Sequence, residues 1–197
     1  MGILDLEEQL AFYRKYHYNS TNVAIHIIFV PTILFSSLAI LSAFPLWPTL
    51  SSISASYLNI GLLTALSYGL FYLLLDLTFG LPTLFILLAI TRAQASLIWL
   101  EELPFYVPGF LLPNLLIDSP IKISIILFVV GWIVQFIGHG VYEKRAPALL
   151  DNLVQALVLA PFFVLFEIAY LLGFRTQVIE RVDEKILPEI KAFHKIK

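Results

Sequence analysis

Three polar residues interrupt the end of a long apolar run: Gln135, His139 and Glu143, spaced four residues apart within Trp132–Pro147. On a continuing helix they share one face, with neighbouring Cβ atoms about 5–6 Å apart. A neutral imidazole and a carboxylate at that separation can hold a metal ion. Two further histidines, His17 and His26, lie at or near the start of the first apolar segment. Their nine-residue separation would put them on opposite faces of one unbroken helix, at about 100° per residue. The Asn19-Ser20-Thr21-Asn22 segment breaks the helix between them and lets the two meet. Any one of these histidines alone reads as a hydrogen-bonded structural residue. Three converging beside a carboxylate read as a metal site. The fourth, His194, belongs to the polar tail.

Other residues carry competing readings. Glu143, followed by Lys144 and Arg145, is either a ligand or part of a solvated turn. Gln135 is either a site residue or an interhelical donor. Asn22, four residues before His26, either orients that ring or serves as a weak ligand. Gly138 and Gly140 flank His139 and allow another helix or a substrate to come close. Asp76, Arg92 and Glu167 are ionisable groups at membrane depth, costing about 2.5–3.5 kcal/mol each on insertion scales. An Asp76–Arg92 pair across a tight turn is the expected arrangement; the alternative gives Arg92 a substrate carboxylate. Glu167 is either an acceptor for a ligand histidine or a protonated interior glutamate.

The elements that must position these groups are membrane helices. The 197 residues are 59% hydrophobic and 13% charged, with a mean hydropathy of +0.89. Soluble domains carry about 25% charged residues, so this chain reads as an integral membrane protein. A net charge of −2 points to no nucleic-acid partner. With no cysteine, the chain has no disulfide, iron–sulfur cluster, cysteine zinc site or thiol nucleophile. Its ligands suit non-haem iron, manganese or zinc. Asp5, Glu7 and Glu8 argue against a cleavable signal peptide in residues 1–20.

The expected architecture is all-α: a polytopic membrane helical bundle of four to five apolar spans behind an N-terminal amphipathic helix. It reads as one integral membrane domain over 1–197. Residues 1–22 hold the amphipathic helix and its break, 23–173 the spans, and 174–197 a polar tail. Spans are expected over Val23 to Phe44, with Pro31 as a kink, and over Tyr57 to Phe79. Gly80-Leu81-Pro82 marks a tight turn, and further spans cover Thr83 to Leu100 and Ile121 to Tyr142. Each is roughly the 20 residues a bilayer core requires. Four crossings return His139 to the face where His26 starts. The last apolar stretch, Leu149 to Gly173, is expected to re-enter with a hinge near Pro161. Residues 101–120 read as a surface loop.

The stretch Tyr16-His17-Tyr18-Asn19-Ser20-Thr21-Asn22-Val23-Ala24-Ile25-His26, with Val30-Pro31, Gln135-Phe136-Ile137-Gly138-His139, Glu143 and Pro147-Ala148, resembles the small multispan 2-hydroxy fatty acid dioxygenases. The resemblance covers nearly the whole chain, and its specific part is the two histidine blocks. It implies a multi-pass protein of the endoplasmic reticulum membrane that uses Fe(II) and O2 to shorten 2-hydroxy fatty acids by one carbon, with release of CO2. In fungi this serves phytosphingosine breakdown. Carried over, it makes His17, His26 and His139 iron ligands, with Glu143 completing the site or holding a ligand in place. Gln135 and Arg145 join Glu143 as catalytic candidates, and Lys144, Arg145 or Arg92 as candidates for the substrate carboxylate. Membrane lipid surrounds the chain, and a homo-oligomer stays open. The competing functions are a transporter or helical scaffold and a membrane zinc hydrolase, though the chain has no His-Glu-x-x-His motif. Di-iron hydroxylases need more histidines than the four present.

Overall fold

A computed structural model describes residues 2–100, 120–146 and 152–195, with side chains to residue 192. Among these residues the chain is helical apart from an isolated bridge between Pro45 and Asn59. The expected 101–120 loop, Pro147-Ala148 and the first residues of the Leu149 stretch lie outside the described residues, save Pro120. Among the described residues three helices are long and apolar enough to cross a membrane: Ser20–Ser42, Leu77–Trp99 and Pro120–Glu143. A bent helix pair near the C-terminus makes a fourth if counted as one span. The all-helical membrane architecture is therefore as expected, with three to four apolar spans among the described residues.

Two compact units form, one from residues 1–31 with 132–197 and the other from 32–131. The second unit comprises the later part of α2 (Ser20–Ser42), α3 (Ser52–Tyr57), α4 (Ile60–Leu75), α5 (Leu77–Trp99) and the first part of α6 (Pro120–Ile137). Small residues let its helices approach closely. A Cβ on Gly61 would collide with Ser42 and Leu38, one on Gly69 with Leu84, and one on Gly80 with the Tyr72 backbone. Two part-buried donors in this unit find main-chain partners. Trp99 Nε1 donates to the Ser42 carbonyl at 2.7 Å and Gln94 Nε2 to that of Phe35 at 3.1 Å.

The helix break in this unit differs from the expectation. Gly80-Leu81-Pro82 lies inside α5, and the chain instead turns at Asp76, an extended residue between α4 and α5. Asp76 Oδ1 accepts from the Phe79 amide at 2.9 Å, satisfying a helix-start donor as an N-cap does. Gly80 is needed for close packing on Tyr72, and Pro82, the sixth residue of α5, removes one helical donor without ending the helix. The expected Asp76–Arg92 pair is overturned by the same register. Sixteen residues of α5 separate the two, about 24 Å of helix. Arg92 stands 3.8 Å above the Tyr57 ring and donates to Ser96 Oγ. α4 is also shorter than the expected span, at 16 residues.

The first unit holds α1 (Leu6–Lys15), the start of α2, the end of α6, α7 (Ala160–Leu171) and α8 (Thr176–Lys195). Asp5 caps α1 by accepting from the Glu8 amide, and Glu7, Glu8, Arg14 and Lys15 complement the helix dipole. The charged tail forms an amphipathic helix. Ile179, Val182, Ile186 and Ile190 recur at helical spacing and are buried, so α8 closes on α1 and α7. With Leu10, Tyr13, Phe162, Phe163 and Phe166 they form a core in which each buried side chain contributes about 1.5–3 kcal/mol. Arg14 crosses this core to Glu167 at 2.5 Å and to Asp183 at 2.5 Å.

The expected hinge near Pro161 is also overturned. A π-helical turn, Gln155–Leu159, runs directly into α7, so the helix continues through Pro161 rather than hinging there. The bend of 111° lies between Leu171 and Thr176. There Gly173 (φ +81°) and Arg175 (φ +55°) take left-handed conformations that end α7.

Candidate metal centre

Asn19 creates the geometry that brings His17 and His26 together. Its Oδ1 accepts from the amides of Thr21 and Asn22 at 3.0 and 3.3 Å, starting α2 immediately after the end of α1. The chain thereby changes direction between the two histidines, and their rings stand 4.2 Å apart, edge to face. His139 arrives from the end of α6, with ring centroids 4.9 Å from His17 and 4.8 Å from His26. One ligand nitrogen from each of the three lies within 4.8 Å of the others, and no ring is more than 5% exposed. The three histidines expected to converge do so, including the pair that four crossings would return to one face.

Two rings are held by local main chain. His17 Nδ1 donates to the Tyr13 carbonyl at 2.7 Å and His26 Nδ1 to that of Asn22 at 2.8 Å. This leaves each Nε2 unprotonated with its lone pair free, as a metal ligand must be. His139 Nδ1 is buried without a partner, an acceptor or donor that the protein itself leaves unsatisfied. Burial, reinforced by the neighbouring His26 and His139 rings, pushes the His17 pKa well below its ordinary value of 6.5. The ring is thus neutral at physiological pH. Three buried, neutral imidazoles facing one point fit a metal ion and make little sense as an apolar core.

Gly138–Glu143 is π-helical, with wider i→i+5 turns. That widening moves Glu143 away from the stripe predicted from four-residue spacing. Its carboxylate accepts instead from the backbone amides of Tyr18 and Asn19, the latter at 3.0 Å. The acid thus binds the end of the His139 helix to the link between His17 and His26, and it stands outside the ligand cluster. Arg145 works on the same link. Its guanidinium donates to the Lys15 carbonyl at 2.9 Å and stacks 3.8 Å over the Tyr16 ring. Lys144 is exposed in a left-handed conformation that ends the π turn. Gln135 is buried one turn before His139, with Nε2 unpartnered. Arg92 belongs to the other unit, engaged with Tyr57 and Ser96. Glu167 is committed to Arg14.

Tyr13 was not among the expected site residues. Its ring stacks on His17 at 4.0 Å and 17°, and its carbonyl holds the same imidazole. The four-residue step from Tyr13 to His17, identical to Asn22–His26 and Gln135–His139, is the signal that could have found it. Gly138 matters through what it lacks: a Cβ there would overlap Asn22 Oδ1.

Residues 3–171 match the family described as 2-hydroxy-palmitic acid dioxygenase Mpo1-like. The chain belongs to this family. It is 42% identical over 173 residues to the 2-hydroxy-palmitic acid dioxygenase MPO1 of Saccharomyces cerevisiae, an alignment covering 88% of this chain and 84% of that protein. No solved structure matches. The family match extends over both histidine blocks and ends at the last residue of α7, so α8, which completes the core around Arg14, lies beyond it.

Proposed function

We propose that the protein is an Fe(II)-dependent dioxygenase of 2-hydroxy fatty acids, with His17, His26 and His139 as the iron ligands. The observation that carries this reading is the convergence of three buried histidines in a chain of this family. Imidazole suits iron, copper and zinc alike, but zinc has no redox chemistry and so cannot serve an enzyme that consumes O2. One O2 and one 2-hydroxy acid give the acid one carbon shorter, CO2 and water, a balance that needs no other reductant. Iron, when bound, supplies the redox chemistry with O2.

The chain's own groups bind and orient. Tyr13 and Asn22 carbonyls fix the tautomer of His17 and His26. Glu143 and Arg145 hold the Lys15–Asn19 link, which carries His17 and leads into the helix that carries His26. Gln135, buried beside His139, offers an amide donor to the reacting end of the substrate. Burial of all three rings keeps bulk water away from them. Three long apolar helices support a membrane setting in which an amphiphilic acid enters from the leaflet. In line with the resemblance, we assign the protein to the endoplasmic reticulum membrane.

The test uses purified full-length protein. Consumption of 2-hydroxypalmitate with O2 uptake should cease on iron chelation and return with ferrous iron, not with zinc. Full activity in a His139→Ala variant would sink the assignment.

A further inference from the structure

Each histidine of the centre follows, four residues later, a side chain ending in a buried polar atom with no hydrogen-bond partner. These atoms are Tyr13 Oη before His17, Asn22 Oδ1 before His26 and Gln135 Nε2 before His139. Helical residues four apart are neighbours, and the stacking of Tyr13 on His17 shows that contact directly. Asn22 reaches the third histidine as well, because its Oδ1 lies against Gly138, the residue before His139. All three are at most 6% exposed. Native proteins leave few buried polar atoms unpaired, and each such atom calls for a reason. Here three occur together, all in one unit and all attached to the same three ligands.

Their chemistry is complementary to one kind of molecule. Tyr13 Oη and Gln135 Nε2 are donors, and Asn22 Oδ1 accepts only. A carboxylate accepts only, while a hydroxyl on the adjacent carbon has one hydrogen to give. We propose that Tyr13, Asn22 and Gln135 form the cradle that recognises the head of a 2-hydroxy acid. Tyr13 and Gln135 donate to its carboxylate, and Asn22 accepts from its 2-hydroxyl. This rests on the proposed function and adds to it the residue that selects the hydroxyl. An unsubstituted fatty acid leaves Asn22 Oδ1 buried and unpaired, and sites built to bond a substrate hydroxyl reject analogues lacking it strongly.

The experiment measures binding of 2-hydroxypalmitate and of palmitate to the full-length, iron-stripped protein in detergent, so that no contact through a metal contributes. Iron content after reloading reports the integrity of each variant. The wild type should bind the hydroxy acid at least tenfold more tightly. Asn22→Leu should bring that ratio towards one, and Asn22→Asp, which keeps the acceptor, should retain most of it. Tyr13→Phe, which keeps the ring and the carbonyl, and Gln135→Leu should each weaken both acids about tenfold with the ratio intact. An unchanged ratio in an Asn22→Leu protein that reloads iron overturns the cradle. So does unchanged binding of both acids in Tyr13→Phe and Gln135→Leu, which decide the matter if Asn22→Leu does not fold. In those cases iron-dependent turnover by the wild type would leave the proposed function standing. A wild type that reloads iron but neither binds nor consumes 2-hydroxypalmitate removes both.

Discussion

Glu143 and Asn19 lie 124 residues apart in sequence, yet the Asn19 amide donates to the Glu143 carboxylate at 3.0 Å. The Tyr18 amide donates to the same oxygen. One side chain from the end of the His139 helix therefore sets the position of the turn between the other two histidines. The carboxylate is buried, and hydrogen bonds to a charged group contribute about 1.5–3 kcal/mol.

Replacing Glu143 tests that link. Glu143→Ala should lose about 2–3 kcal/mol of stability and weaken iron binding 10–100-fold, as removal of a group that orients ligands does. Glu143→Gln keeps one acceptor oxygen and should lose about half as much. Thermal unfolding and iron titration of the two variants, side by side, measure both effects. Wild-type iron affinity in Glu143→Ala would show that the turn holds its shape unaided.

The burial of His17 predicts a pH dependence for the iron-free protein. In the unfolded chain this ring takes a proton near 6.5, whereas in the fold its pKa is depressed well below that value. Below pH 6.5 the unfolded state therefore binds a proton that the folded state does not, and stability falls. The slope from His17 alone is about 1.4 kcal/mol per pH unit, continuing down to the folded pKa. Above pH 6.5 the ring contributes no pH dependence. Unfolding midpoints between pH 5 and 8 should show the fall, and His17→Gln should make it shallower.

The two glycines around His139 should respond in opposite ways. Gly138→Ala forces a methyl group onto Asn22 Oδ1 and should cost about 1–3 kcal/mol. It should also disturb His26, whose Nδ1 bonds to the Asn22 carbonyl. Gly140 faces open space, and Gly140→Ala should stabilise the helix end by up to about 1 kcal/mol. Denaturation midpoints of the two alanine variants give the comparison.

Arg14 and Glu167 predict a non-additive pair. Arg14→Met leaves the Glu167 carboxylate buried without its partner and should cost about 3–5 kcal/mol. The combined Arg14→Met and Glu167→Met variant removes both charges and should recover much of that loss. Asp183, half-exposed, keeps water as an alternative partner for its charge. A double-mutant cycle in chemical denaturation measures the coupling.

Much of this protein was legible in its residues alone. Hydropathy identified the long helices because a bilayer requires length and apolarity, which are local properties. Asn19 to Asn22 marked the break between His17 and His26 because capping is a contact over two or three residues. Four expected crossings would let His26 and His139 meet, and their rings do meet, 4.8 Å apart. The same residues misplaced the turn at Gly80–Pro82, since glycine and proline signal turns but here serve close packing and an early helical position. They left open whether Glu143 joins the cluster or holds a ligand in place, because the π turn that rotates it off the His139 stripe leaves no trace in spacing. The tail's amphipathic pattern was legible too, but its docking of Ile179, Val182 and Ile186 against α1 and α7 was not. Which side chains are left buried and unpaired around the histidines depends on contacts between segments more than 100 residues apart. Only the tertiary structure decides those, because satisfaction of a polar atom is a property of its neighbours in space.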